Sequence, residues 1–263
     1  RGGAGGGGGG GDLAGFVAAT FLRGLPLVQV PTSLLAMVDA SIGGKVAVDH
    51  PQGKNLIGAF YQPRLVLADV QTLTTLPPRE LRSGWAEVVK HGLILDSAYF
   101  SWLEASLPKL ARLEGDATAE AVRRSAAIKA QVVTEDEKET GKRTLLNYGH
   151  TLGHALEAAA GYEGFLHGEA VAIGMMGAAL LSHRLGMVPS EVVERQEALL
   201  EGFGLPTRAS GMDKGRVLAA MELDKKVRGK EIRWVLLAGL GKAVIREGVP
   251  REAVLGVLQE ILS

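Results

Sequence analysis

The histidines of this chain concentrate in two short neighbourhoods, one from Glu87 to His91 and one from His150 to His167. In Gly149-His150-Thr151-Leu152-Gly153-His154-Ala155-Leu156-Glu157 the i,i+4 spacing sets His150 and His154 on one helical face, with Glu157 near them. Glu87 and His91 repeat that spacing on another helix. Two imidazoles on one face have two chemical uses: both bind one metal, or one binds it while the other handles protons. The plainer alternative for either pair is an interhelical contact with its hydrogen bonds satisfied. There is no HExxH word, which removes the zinc-protease pattern. There is also no Cys, so thiolate metal sites, disulfides and Cys nucleophiles are excluded, and His and carboxylates remain as the strong metal ligands.

Cations form a second constellation: Arg23, Lys45, Lys54, Lys90, Lys129, Arg143, Lys225 and Lys226, several of them next to Gly, Asn or Asp where the backbone turns. Singly, each reads as a solvated surface charge. Together they could line a pocket for a ligand with more than one anionic group, since a buried anion needs several paired cations. The whole chain carries 29 Lys plus Arg against 29 Asp plus Glu, a balance that gives no general attraction to nucleic acid or anionic membrane. Any anionic ligand is therefore held locally.

The elements that must position these residues fall into two parts. Residues 1–11 are almost all Gly and on composition alone read as a flexible linker or tag. Yet they run into Asp12-Leu13-Ala14-Gly15-Phe16-Val17-Ala18-Ala19-Thr20-Phe21-Leu22, whose apolar spacing predicts a helix, and a Gly-rich turn opening a helix presents amides and a positive dipole end to a pyrophosphate. Residues 27–30 and 65–70 read as strands, with Thr32 or Ser33 capping a helix after Pro31. After Pro77-Pro78 helical patterns follow in series, at 79–95, 97–113, 117–134, 145–160, 167–185, 190–203 and 214–226. A hairpin at 231–237 and 243–247 then precedes a last helix from Arg251. The expected fold is an α/β nucleotide-binding domain over residues 1–78 followed by a mostly α-helical metal- and substrate-binding domain over residues 79–263. The longest weakly polar run, Ala170 to Leu181, is shorter than the roughly 18 apolar residues of a membrane span, and the Gly-rich start has no apolar signal core, so a cytoplasmic address is expected.

Several long words recur in the order known from one family: Gly-Asp-Leu-Ala-Gly-Phe at 11–16, Val30-Pro31-Thr32-Ser33-Leu34-Leu35-Ala36-Met37-Val38-Asp39 and Ser41-Ile42-Gly43-Gly44-Lys45. Gly53-Lys54-Asn55-Leu56-Ile57-Gly58, Ala86-Glu87-Val88-Val89-Lys90-His91-Gly92, Asn147-Tyr148-Gly149-His150 through His154, Leu166-His167-Gly168-Glu169 and Leu223-Asp224-Lys225-Lys226 continue the series. On these words the chain resembles the 3-dehydroquinate synthase family of sugar-phosphate cyclases. The resemblance implies that Glu87, His150 and His167 hold a zinc or cobalt ion, leaving His91 out of the metal set, and that His154 handles protons. It gives Lys45, Lys90, Arg143 and Asn147 catalytic positions. Asp39, Asn55, Lys129 and one of Lys225 or Lys226 fall on substrate-contact positions, with Arg23 reaching the phosphate. NAD is implied as cofactor at Gly7, Gly8, Gly9, Asp12, Thr32, Ser33, Lys54 and the run Thr72, Leu73, Thr74 and Thr75.

The implied reaction starts from 3-deoxy-D-arabino-heptulosonate 7-phosphate: oxidation of a ring hydroxyl by NAD, loss of phosphate, return of the hydride, ring opening and an intramolecular aldol closure to 3-dehydroquinate. A homodimer acting on a small-molecule sugar phosphate, with neither nucleic acid nor membrane as partner, is the implied assembly. The competing readings are a sibling cyclase, a metal-dependent polyol dehydrogenase that releases NADH, and an inactive homologue or scaffold. One feature departs from the family: the strands and helices expected ahead of the Gly-rich turn are missing. The chain by itself is therefore expected to bind NAD at least about tenfold more weakly than a complete homologue, roughly 1.4 kcal/mol.

Overall fold

The glycine tract pairs as a strand through its main chain, which needs no side chain to do so. In the computed structural model, which describes residues 2–6, 8–50, 53–161, 164–228 and 232–263 and the side chains of all of these except 2–6, 8, 53–55 and 224–228, β1 (Gly2–Gly6) runs parallel to β2 (Leu27–Pro31). Between them lies α1 (Gly8–Thr20), so the tract is the first strand of a β-α-β unit rather than a linker. Ser33 caps the segment after β2, its Oγ accepting the Ala36 amide at 3.3 Å. The helix then widens into a π turn over Ala36–Ala40, in which the Ser41 amide reaches back to the Ala36 carbonyl at 3.1 Å. Such turns recur at functional sites, and this one carries Asp39.

A hairpin not foreseen from the sequence follows, β3 (Lys45–His50) antiparallel to β4 (Gly53–Phe60). The strand expected at 65–70 is cut to β5 (Leu65–Val66), which extends the parallel sheet in the order β1-β2-β5. It stops because Asp69 caps a 3-10 turn over Val70–Thr75, its Oδ1 accepting the Gln71 amide at 2.9 Å. Then come α2 (Pro78–Leu95), α3 (Ser97–Leu110) and α4 (Gly115–Glu135). The chain divides into two compact units, Arg1–Val88 with Pro108–Arg143 and Val89–Leu107 with Thr144–Ser263, so the division runs through α2 and α3. In the first unit α4 packs on the π turn and the 3-10 turn.

The second unit is built on α6 (His167–Arg184), with α5 (His150–Ala159), α7 (Ser190–Gly202), α9 (Arg251–Ile261) and β6 (Trp234–Gly239) packed around it and α8 (Lys214–Arg228) against α5. β6 pairs with β7 (Lys242–Arg246) as the expected hairpin. The run Ala170–Ala179 is small or apolar all round and buried throughout, as a central helix requires. The helix expected over 145–160 begins only at His150, because Gly149 sits at φ +81 in the left-handed region and a 3-10 turn, Lys142–Asn147, precedes it. No described helix is long and apolar enough to cross a membrane.

Two glycines set how closely α5 and α6 approach. A Cβ on Gly174 would fall 2.0 Å from the Gly149 carbonyl oxygen and 2.8 Å from the Gly153 amide, and one on Gly149 would meet the Val171 carbonyl at 2.8 Å. These neighbours are main chain and cannot rotate away. Gly174→Ala should therefore destabilise the protein by about 2–3 kcal/mol or more in urea denaturation, as an overpacked core does. Gly115→Ala, whose added carbon meets nothing within 4 Å, should shift stability by less than about 1 kcal/mol. Equal effects from the two would contradict the packing argument.

Candidate functional site

The two helices pass in opposite directions, with Gly149 against Gly174 and Gly153 against Ala170. One further turn along, that register sets Glu157 against His167. His150 opens α5 and His167 opens α6, where the Glu169 carboxylate takes the Leu166 amide at 2.9 Å and fixes the helix start. The crossing gathers three imidazoles. Ring centroids are 5.4 Å apart for His150 and His154, 5.3 Å for His150 and His167, and 6.3 Å for His154 and His167. One ring nitrogen of His150 lies within 4.8 Å of one of His167, and His154, Glu157 and His167 likewise bring one donor atom each within 4.8 Å of one another.

Hydrogen bonding decides which nitrogen each ring presents. His150 Nδ1 is 3.2 Å from the Tyr148 carbonyl, and His167 Nδ1 is 3.4 Å from Glu157 Oε1. Both partners only accept, so Nδ1 carries the proton in each ring and the lone pair sits on Nε2. Burial holds His150 well below the ordinary histidine range, and the charges of Lys90, His167 and His154 act the same way against the opposing carbonyl bond. Its place in the first turn of α5, at the positive end of the helix dipole, also disfavours an imidazolium. A neutral ring with its lone pair on Nε2 is the form that ligates metal.

Within the first unit the predicted cations and carboxylates gather near the turn Ser41–Lys45. Buried Lys129 donates to Asp39 Oδ1 at 2.6 Å and also to the Asp39 carbonyl. A carboxylate oxygen of Asp39 lies within 4.8 Å of one of Glu87, whose side chain is fully buried. The Arg143 guanidinium donates to the Gly43 carbonyl at 3.0 Å and to that of Glu137, and Lys45 is paired with Glu139. Asp136 shapes the loop that delivers Arg143: its carboxylate accepts the amides of Thr140, Gly141 and Arg143, which hold its pKa down at about 2. Asp12 behaves oppositely. Burial pushes its pKa up to about 6, with Asp39 and then Asp49 adding repulsion and Lys129 opposing them.

The other predicted positions are spread along this frame. Lys90 stands three residues after Glu87 on α2, and both are buried. His91, which the resemblance leaves out, is buried beside them on the same helix. Asn147 ends the 3-10 turn before α5, and Arg23 is exposed on the 3-10 turn Phe21–Arg23. Thr32 and Ser33 lie just beyond β2. Thr72, Thr74 and Thr75 donate their hydroxyls within their own turn, to the carbonyls of Asp69, Gln71 and Thr72, while Leu73 is buried beneath. Gly8 and Gly9 form the start of α1. Gly7, and the side chains of Lys54, Asn55, Lys225 and Lys226, lie outside the described residues. The sequence sets Glu157 near the histidine pair but gives it no role. Its signal was the i+3 spacing from His154, but its contact with His167 needs the register of two helices.

The arrangement has close counterparts. The pattern of 3-dehydroquinate synthase N-terminal matches residues 4–83 and that of 3-dehydroquinate synthase C-terminal matches residues 84–227. A 3-dehydroquinate synthase of Nitrosospira multiformis is 52% identical over 249 residues, covering 95% of this chain and 68% of that protein. Among solved structures, a 2-epi-5-epi-valiolone synthase from Streptomyces hygroscopicus with NAD+ and Zn2+ bound superposes with TM-score 0.88 at 29% identity, covering 98% of this chain and 72% of that one. A 2-deoxy-scyllo-inosose synthase complexed with carbaglucose-6-phosphate, NAD+ and Co2+ gives TM-score 0.84 at 31% identity, covering 99% and 74%. The fold is thus that of the sugar-phosphate cyclases, and with both halves of the pattern matched and half of all residues shared with a named enzyme, this chain belongs to the 3-dehydroquinate synthase family.

Proposed function

We propose that this chain converts 3-deoxy-D-arabino-heptulosonate 7-phosphate to 3-dehydroquinate and phosphate with NAD and one divalent metal ion. The observation that carries the reading is the meeting of His150, His154 and His167 at the crossing of α5 and α6, two of the rings turned with Nδ1 to an acceptor. Glu87, His150 and His167 would hold the metal. A carboxylate and two imidazoles are a donor set that zinc or cobalt accepts, and three protein ligands leave a position open for substrate. Bound there, the ion supplies Lewis-acid polarisation of substrate oxygens.

NAD supplies the hydride acceptor and donor. Its pyrophosphate would meet the start of α1 at Gly8 and Gly9, where a helix follows a parallel strand at that strand's carboxyl end. His154, exposed beside two partly buried rings, would pass protons between substrate and solvent. Buried Lys90, Lys129 and Arg143 supply positive charge for the carboxylate and phosphate of the substrate, and Lys45, Asn147, Asp39, Asn55 and Lys225 or Lys226 would orient its hydroxyls. Arg23 would reach the phosphate. The relative named for this reaction is 52% identical, against 29% and 31% for the two sibling cyclases, which favours the heptulosonate phosphate over their substrates. A cytoplasmic homodimer, with an α/β cofactor domain ahead of a helical metal domain, completes the reading. Incubation with the heptulosonate phosphate and NAD tests it: phosphate release with carbocycle formation and no net NADH is expected, and accumulating NADH without carbocycle would refute it.

Two histidines on one face separate ligand from proton carrier. His150→Ala should lose both bound metal and most activity even in excess zinc, whereas His154→Ala should keep the parent's metal stoichiometry while turnover falls by about 10²–10⁴-fold. Loss of metal in the second variant, or full turnover of metal-free parent, would overturn the assignment.

Asp12, proposed at the cofactor, bears on stability. With a folded pKa raised to about 6, the folded protein holds this proton more tightly than the unfolded chain, so the group's stabilisation is present below the ordinary carboxylate value and is lost as pH rises through about 6. Asp12→Asn should accordingly be more stable than the parent, by a margin larger at pH 8 than at pH 5 in urea denaturation. A margin independent of pH would contradict the shift.

A further inference from the structure

We propose that Glu157 is a positioning residue for the metal centre, accepting the Nδ1 proton of His167 and so fixing that ring with Nε2 turned toward the ion. This rests on the reading of His167 as a ligand. The antiparallel register makes the pair: Gly149 faces Gly174, Gly153 faces Ala170, and the next turn of α5 brings Glu157 to the first residue of α6. Glu157 Oε1 lies 3.4 Å from His167 Nδ1, with side-chain exposures of 14% and 33%, so the carboxylate is the more enclosed of the two and is not a solvated surface group.

His150 has the same arrangement in a different material. Its Nδ1 is tied by a main-chain carbonyl, that of Tyr148, at 3.2 Å, which any side chain at 148 would supply. The His167 contact depends on one side chain, and that makes Glu157 a position where sequence controls metal binding. A carboxylate acceptor also does what a carbonyl does less strongly: its negative charge makes the imidazole a better donor to a cation. Glu157 and His154 are three residues apart on one face, and with His167 they also form a group able to hold an ion. The competing role is therefore direct ligation of a second ion by Glu157.

The test uses the full chain stripped of metal, as parent, Glu157→Gln and Glu157→Ala, titrated with zinc against a competing chromophoric chelator. In parallel, the nitrogen-15 shifts of the labelled histidine rings are recorded without metal. The parent should bind one equivalent, and His167 should carry its proton on Nδ1. Glu157→Ala should weaken zinc binding by about 10–100-fold and return His167 to a mixture of tautomers. Glu157→Gln, which keeps an acceptor oxygen at the same place, should retain the Nδ1 tautomer and lose affinity by a smaller factor. Unchanged affinity and tautomer in Glu157→Ala would overturn the proposal, as would a second equivalent of zinc in the parent that both variants lose. A parent that binds no zinc sinks the metal reading itself and the proposal with it. That failure is distinguishable, because it appears before any variant is compared.

Discussion

The approach of two main chains, Gly149 to Gly174 across α5 and α6, is the constraint on which the rest of the second unit depends. At a contact where an added carbon would lie 2.0 Å from a carbonyl oxygen, no side chain fits at either position. The contact also fixes the register of the two helices to within a residue, since sliding one past the other would bring a side chain into the same space. Register in turn decides which residues meet at the open end of the crossing. Three imidazoles from two helices reach one place because four glycine and alanine positions let the backbones close.

Electrostatics then selects the form of those rings. A protein with balanced charge has no global field to draw an anionic ligand, and its charges act where they are buried and paired. Lys129, ion-paired with Asp39, and Arg143, bound to the Gly43 carbonyl, are cations enclosed in the first unit, each held in place by its own partner. His150 is held neutral by burial and by neighbouring positive charge. The ionised form of Asp12 is disfavoured by its surroundings, a cost the fold carries at a position that the family resemblance gives to NAD.

Much of this was legible in the sequence because it is local. The i,i+4 pair His150 and His154 follows from helical period alone, and α2, α4, α6 and α7 lie close to their expected bounds because local patterning marks them, an apolar face in three and an unbroken small or apolar run in α6. What escaped was set by contacts distant in sequence or by single special residues. The β3–β4 hairpin went unread although Val46 and Val48 alternate and Pro51-Gln52-Gly53 is a turn signal, because charged and glycine residues dilute its pattern. The glycine tract at 2–6 became a strand through main-chain pairing that composition cannot reveal. The helix start at His150 turned on one positive φ at Gly149. Glu157 could be seen beside His154, but its contact with His167 arises only from the register of α5 on α6.

The most direct measurement is the position of the ion itself, by anomalous X-ray scattering at the zinc or cobalt edge from crystals of the metal-loaded chain. If Glu87, His150 and His167 hold it, one peak should stand about 2.0–2.2 Å from a carboxylate oxygen of Glu87 and from Nε2 of each ring, with Glu157 outside the ligand sphere. A peak ligated by His154 and Glu157 instead, with Glu87 left aside, would contradict the assignment.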